Sequence, residues 1–190
     1  MKLSAITLTP AMARLDHRDL HKKVEGSLGR ARPADATRAL WARPHPGLLI
    51  VRGWRTPDHA WWDDSRITSR DWTPCTGPEV EVSVIASPQK RRSIKREDGT
   101  RSHIHQGQVD DLPGWLQARI PSVRFDTVRF EPLPTVWAQN GPNRVRVPMV
   151  GFHATATVVD MAGFVRAQVD GVGRARAYGA GLLLATEAPR

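Results

Sequence analysis

DMAGFVRAQVDGVGRARAYGAGLLLA, residues 160–185, decides how the chain closes and so which fold is being closed. Asp160 is a capping residue and predicts a helix to about Val169. Glycines at 171, 173, 179 and 181 then permit tight turns, and 181–185 reads as a final strand. Working backward, 123–137 and 144–159 are β-rich, with Asn140-Gly141-Pro142-Asn143 as the hairpin turn between them. Acids and Pro113 open a predicted helix over 110–120. A long polar loop is expected over 88–108, and before it Val80, Val82 and Val84 alternate with Glu79, Glu81 and Ser83 as a half-exposed strand. The order is β-α-β-β-α-β.

TPCTGP, residues 73–78, has linker composition, and the same order recurs upstream of it. Residues 2–9 read as a strand ended by Pro10. Asp16 and Asp19 mark a helix start; Leu20, Val24 and Leu28 share one helical face; Gly29 stops the helix. Strands are expected over 37–43 and 47–55, joined by a turn at 44–47, then a short helix near 58–64 and a last strand near 68–73. The predicted class is therefore α+β, with two tandem ferredoxin-like (split βαβ, RRM-like) domains over 1–75 and 76–190.

The 190 residues carry 28 Lys plus Arg against 19 Asp plus Glu, a formal charge of +9 and a pI near 10.9. That excess points to an acidic partner, with nucleic acid ahead of an anionic membrane. A single cysteine, Cys75, excludes an intramolecular disulfide framework and a multi-cysteine zinc site and fits a reducing cytoplasm. No stretch approaches the ~18 apolar residues of a membrane span. The N-terminal run reads as a strand rather than a signal core, so the chain is expected to start at Met1.

The sharpest concentration of positive charge is PQKRRSIKREDGTR, residues 88–101, with Lys90, Arg91, Arg92, Lys95, Arg96 and Arg101. A charge run is commonly a solvated loop; at the end of a strand in a chain this basic, a phosphate-tracking loop is the better reading. Arg144 and Arg146 fall on one face of a strand, and Arg174 and Arg176 lie in the glycine-rich turn. Each pair suits bidentate phosphate contact. Base stacking on a sheet is disfavoured, because no aromatic RNP-type strand occurs. The seven tryptophans, five of them in the first half, read as core or interface residues. The glycines cannot be a dinucleotide fingerprint, which follows a first strand and opens a helix, nor a Walker loop, which needs Gly-Lys-Ser/Thr.

Three motifs carry a resemblance. The helix followed by GVGRARAYGAGLL at the C-terminus, MKLSAITL followed by RDLHKKVEGSL at the N-terminus, and ASPQKRR in the middle resemble the CRISPR repeat-processing endoribonucleases. Within these they resemble the CasE-type subunit of the type I-E Cascade complex. The resemblance implies two tandem ferredoxin-like domains, in line with the element order. It also implies metal-independent cleavage of CRISPR repeat RNA at the base of its hairpin, by attack of a 2′-hydroxyl on the adjacent phosphate. It implies no cofactor, and an enzyme that keeps its RNA product and joins other Cascade subunits in the cytoplasm, away from any membrane.

His21 sits at the edge of the Leu20–Val24–Leu28 stripe, where a side chain is half-buried yet able to face a cleft. On residues alone this is as well a boundary histidine with no task. The resemblance implies the catalytic role, since the family's histidine lies in this helix in a Leu-His step like Leu20-His21. Imidazole exchanges protons near neutral pH. Arg18, three residues earlier, takes the place where the family often has a tyrosine, and Lys90 matches the family's lysine after the proline; both are expected to steady phosphate charge. The expected RNA groove is Arg91, Arg92, Lys95, Arg96, Arg144, Arg146, Arg174 and Arg176, with backbone amides at Gly171, Gly173 and Gly179. Two other readings stay open: a structural RNA-binding subunit that does not cut, and a metal-dependent hydrolase using His17, His21 and Glu25 at i, i+4, i+8. Against the latter, His17 falls at the frayed start of the helix.

Overall fold

The computed structural model describes residues 1–29, 33–34, 36–95, 101–140 and 143–189, and gives the backbone alone at 90–95, 101–108, 138–140 and 143–145. Two four-stranded antiparallel sheets follow one another. In the first, β1 (Lys2–Thr7), β2 (Leu40–His45), β3 (Leu48–Gly53) and β4 (Arg66–Asp71) take the order β2-β3-β1-β4. Helix α1 (His17–Ser27) crosses between β1 and β2. Asp16 caps it, its carboxylate accepting from Asp19 N at 2.8 Å, and Gly29 at φ +81 ends it in the left-handed region. Leu20, Val24 and Leu28 are buried against Ile6, Trp41, Leu49 and Val51, as their spacing predicts. The expected helix at 58–64 is instead one 3-10 turn, His59–Trp61. Asp63 and Asp64 adopt positive φ directly after it, which no α-helix accommodates, and Trp62 is buried in the first core.

In the second sheet β5 (Glu79–Ala86), β8 (Val123–Asn140), β9 (Asn143–Val158) and β10 (Leu183–Glu187) take the order β10-β5-β9-β8. The alternation read from 79–84 holds: Val80, Val82, Val84 and Ala86 are buried beneath α2 (Leu112–Arg119) and α3 (Met161–Asp170), with Leu116, Phe152 and Phe164. Asp111 caps α2 and Asp160 caps α3. Both sheets thus have the strand order of a ferredoxin-like fold. Two features extend the second. β8 and β9 run on as one long hairpin, paired as far as Asn140 and Asn143, with Gly141 and Pro142 outside the described residues. The stretch read as a loop at 88–108 is a two-stranded ribbon, β6 (Gln89–Lys95) with β7 (Arg101–Gln108), registered Lys90 to Gly107 and Arg92 to His105. Only Ile94 and Ile104 are aliphatic in its strands, so hydrophobic alternation gave no strand signal, although a two-stranded ladder satisfies the backbone without a core.

The halves are clamped together. Arg52 on β3 is 0% exposed and donates through both Nη atoms to the C-terminal carbonyls of α3, at Gln168 and Val169. Its guanidinium lies 4.8 Å over the Trp72 ring. Burial lowers its pKa to about 10, with Asp170 opposing. Gln168 grips the backbone of Cys75 from both sides, Oε1 accepting at 2.8 Å and Nε2 donating at 2.9 Å. No described helix is long and apolar enough to cross a membrane.

Candidate active site and nucleic-acid interface

The glycine-rich segment is where the two halves meet. Gly171 at φ +77 caps α3, and Gly181 closes the turn, its N–H donating to Ile85 O at 2.7 Å and its carbonyl accepting from Val172 N at 2.8 Å. A Cβ at Gly179 would lie 2.6 Å from the Trp41 ring, and one at Gly171 2.6 Å from Gly181 O. These two glycines therefore let backbone pack against protein. Arg176 folds back, Nη2 donating to Gly171 O at 3.2 Å, while Arg174 stays exposed and Gly173 sits on the turn at φ +74. The 3-10 turn Arg176–Tyr178 rests on α1.

That contact fixes the start of α1, the reverse of the fraying expected there. His17 donates from Nδ1 to Tyr178 O at 2.7 Å, across 161 positions of sequence. Arg43 on β2 holds the preceding loop through Leu15 O at 3.2 Å and Ala13 O. His17 and His21 both lie against the buried Trp41 indole, with ring centroids 5.5 and 6.5 Å away. His21 is 23% exposed; its Nδ1 accepts from Trp41 Nε1 at 3.3 Å and its Nε2 faces Glu25 Oε1 at 3.3 Å. Burial lowers the pKa of both rings. For His17, the Tyr178 carbonyl and Asp16 oppose that shift and Arg43 adds to it; for His21, Glu25 opposes it and Arg38 adds to it.

His21 is thus half-buried at the rim of its stripe, where the helical spacing puts it. Beside it opens a cleft of about 840 Å³ lined by Lys22, Glu25, Arg38, Trp54 and Trp61. Trp61 is 42% exposed, and its ring covers Gly26, where a Cβ would come within 2.4 Å. Lys22, Arg38 and Trp61 escaped the sequence reading because each is a single residue on a different element. Arg18 is exposed on α1 and makes no side-chain hydrogen bond or ion pair among the described residues. Of the three candidate metal ligands, His21 and Glu25 lie together at 3.3 Å, while His17 turns its Nδ1 to the Tyr178 carbonyl, and no cluster of three metal-binding side chains forms among the described residues.

The basic segments gather on the second half. Arg146 is exposed on β9, paired across from Trp137, which is 51% exposed. Gln89 at the root of the ribbon donates from Nε2 to Arg146 O at 3.4 Å, so ribbon and long hairpin lie side by side. Lys90, Arg91, Arg92 and Lys95 follow on β6 and Arg144 precedes Arg146 on β9, all as backbone positions; Arg96 lies outside the described residues. A second cleft, of about 180 Å³, lies between the halves. His17 and Arg43 line one wall and Leu133, Pro134 and Val136 of β8 the other.

Two ferredoxin-like units are joined by a glycine-rich seam, and the second carries the arginine-bearing strands β6 and β9. The model of the family described as CRISPR associated protein matches residues 1–186, and the chain belongs to that family. No curated protein sequence matches it. Among solved structures, Cas6e from Escherichia coli K-12 superposes with a TM-score of 0.76 at 17% identity, covering 99% of this chain and 100% of that one. Thermus thermophilus Cse3, bound to an RNA representing a pre-cleavage complex, gives 0.73 at 22% identity, over 97% and 98%. A chain of a CRISPR RNA-guided surveillance complex before nicking gives 0.72 at 18%, over 99% and 100%.

Proposed function

We propose that the protein is a metal-independent endoribonuclease that binds the hairpin of CRISPR repeat RNA and cuts at its base. The 2′-hydroxyl attacks the adjacent phosphate, leaving a 2′,3′-cyclic phosphate and a free 5′-hydroxyl. His21 is the proton-transfer group, and Arg18 and Lys90 steady the phosphate charge. The first domain, 1–75, carries the chemistry; the second, 76–190, carries the grip, through the ribbon and hairpin arginines and Arg174. The product stays bound, and the pair joins an effector assembly in the cytoplasm.

The observation that carries this reading is the placement of His21: a partly exposed imidazole on a capped helix, beside Lys22 and Arg38, in a chain of the CRISPR associated family. The test is cleavage of repeat RNA in excess EDTA. Product should form, and a single 2′-deoxy substitution at the scissile nucleotide should abolish it while leaving binding intact. Cleavage that stops on chelation restores the hydrolase reading. Tight binding with no cleavage at all restores the structural-subunit reading.

A further inference from the structure

Cleavage by 2′-hydroxyl attack moves two protons: one leaves the nucleophile and one reaches the departing oxygen. The two imidazoles on α1 are hydrogen-bonded in opposite senses. The partner of His17 Nδ1 is a carbonyl, which only accepts, so Nδ1 carries the hydrogen and Nε2 carries the lone pair. The partner of His21 Nδ1 is an indole N–H, which only donates, so the hydrogen of that ring lies on Nε2. One ring therefore offers a lone pair and the other an N–H. They sit one helical turn apart against the same indole, so their Cβ atoms are about 6 Å apart. His17 Nε2 has no partner among the described residues, and its ring lines the cleft that runs along β8, the strand that carries Trp137 opposite Arg146.

We propose that His17 is a second catalytic residue, taking the 2′-hydroxyl proton on Nε2 while His21 protonates the leaving 5′-oxygen. The proposal rests on the endoribonuclease reading. The bond from 2′-oxygen to phosphorus forms as the bond from phosphorus to 5′-oxygen breaks. The nucleophile's proton passes to neutral His17; His21 acts after taking a proton from water on Nδ1, which releases the Trp41 N–H, and the proton on Nε2 of that cation passes to the 5′-oxygen. Exchange with water restores both rings. The Tyr178 carbonyl holds the new His17 cation, and Glu25 favours the cationic form of His21. The other charged groups on the two rings are Asp16 and Arg43 at His17, and Arg38 at His21. With His17 as base, the reaction does not need a tyrosine where Arg18 stands.

The test is single-turnover cleavage of repeat RNA in EDTA by wild type, His17→Asn and His21→Ala. The scissile linkage carries either the natural 5′-oxygen or a bridging 5′-sulfur, which departs without a proton. Asparagine keeps an N–H for the Tyr178 carbonyl, so the α1 contact survives. His17→Asn should cut natural RNA at least 100-fold more slowly, bind a 2′-deoxy hairpin within threefold of wild type, and gain nothing from sulfur. His21→Ala should be slowed as much and recover at least tenfold with sulfur. The rate–pH profile of wild type should be bell-shaped, and His17→Asn should lose its rising limb. Cleavage by His17→Asn within threefold of wild type overturns the proposal, as does rescue of that variant by sulfur or a wild-type profile with one limb. A wild type that binds without cutting removes the parent reading instead, and this one with it.

Discussion

The two ferredoxin-like units share a strand order and differ in what covers and extends them. The second keeps both helices over its sheet, then adds the β6–β7 ribbon and the long β8–β9 hairpin. The first keeps α1 but has only the turn His59–Trp61 where the second has its other helix, and Trp62 next to that turn is buried in the core. Losing that helix leaves the flank of α1 open, and the cleft of Lys22, Arg38, Trp54 and Trp61 lies there. Open surface beside a titratable helix is what chemistry needs; long paired strands carrying arginine are what a phosphate backbone needs. On the proposed function, the difference divides one topology into a reacting half and a gripping half.

The largest expected effect breaks the reacting half alone. His21→Ala should lower single-turnover cleavage by about 10²–10⁴, the usual contribution of a proton-transfer group, with hairpin affinity within threefold. Cleavage above a tenth of wild type would remove His21 from the chemistry. Next comes the clamp between the halves. Arg52→Met leaves the Gln168 and Val169 carbonyls without their donors in a buried site, and should cost about 3 kcal/mol in denaturant unfolding. A loss under about 1 kcal/mol would mean that the halves are held elsewhere, by the Gln168–Cys75 grip or the glycine seam.

How far the sequence foretold this division depends on the range of the interactions. The bounds of α1 were legible because Asp16 capping Asp19 and the left-handed Gly29 are local. The alternation of Val80, Val82 and Val84 was legible because each has one buried face. The ribbon was not, since a ladder without a core leaves no apolar period in QKRRSIK or RSHIHQGQ. His17 read as a frayed end because its partner, the Tyr178 carbonyl, lies at the other end of the chain. Arg176 read as a groove residue because spacing cannot show a guanidinium folded onto Gly171. Gly179 was noted as a possible phosphate cradle, and what demands a glycine there is the ring of Trp41.

A smaller effect sharpens the gripping half. Arg146 is exposed, so Arg146→Ala should weaken hairpin binding several-fold and reduce the slope of log affinity against log salt by about 1, without altering the cleavage rate at saturation. An unchanged slope would take Arg146 off the RNA. Arg176→Ala, by contrast, should leave the slope alone and lower the melting temperature, because its guanidinium closes the glycine turn.

The smallest effect is a pH dependence within the first half. Burial lowers the pKa of His17 and of His21, so the folded chain resists protons that the unfolded chain takes near pH 6.5. Stability from these two rings is complete above that pH and falls as pH drops from about 6.5 toward their folded values, below which it levels off. The double variant His17→Asn/His21→Ala should flatten melting temperature against pH across that window. Asp71, lowered by its hydrogen bond to Lys2, acts in a separate range: its contribution holds above about pH 4 and is lost in more acidic solution. Bound RNA should suppress the histidine slope specifically, because phosphate beside either ring favours its cation and returns the proton affinity that burial removed. Melting curves of the free protein and of its complex with uncleavable 2′-deoxy RNA should therefore lie closest above about pH 6.5 and diverge as pH falls through that window, with RNA bound more tightly at pH 6 than at pH 8. A histidine slope untouched by RNA would put the phosphate away from α1.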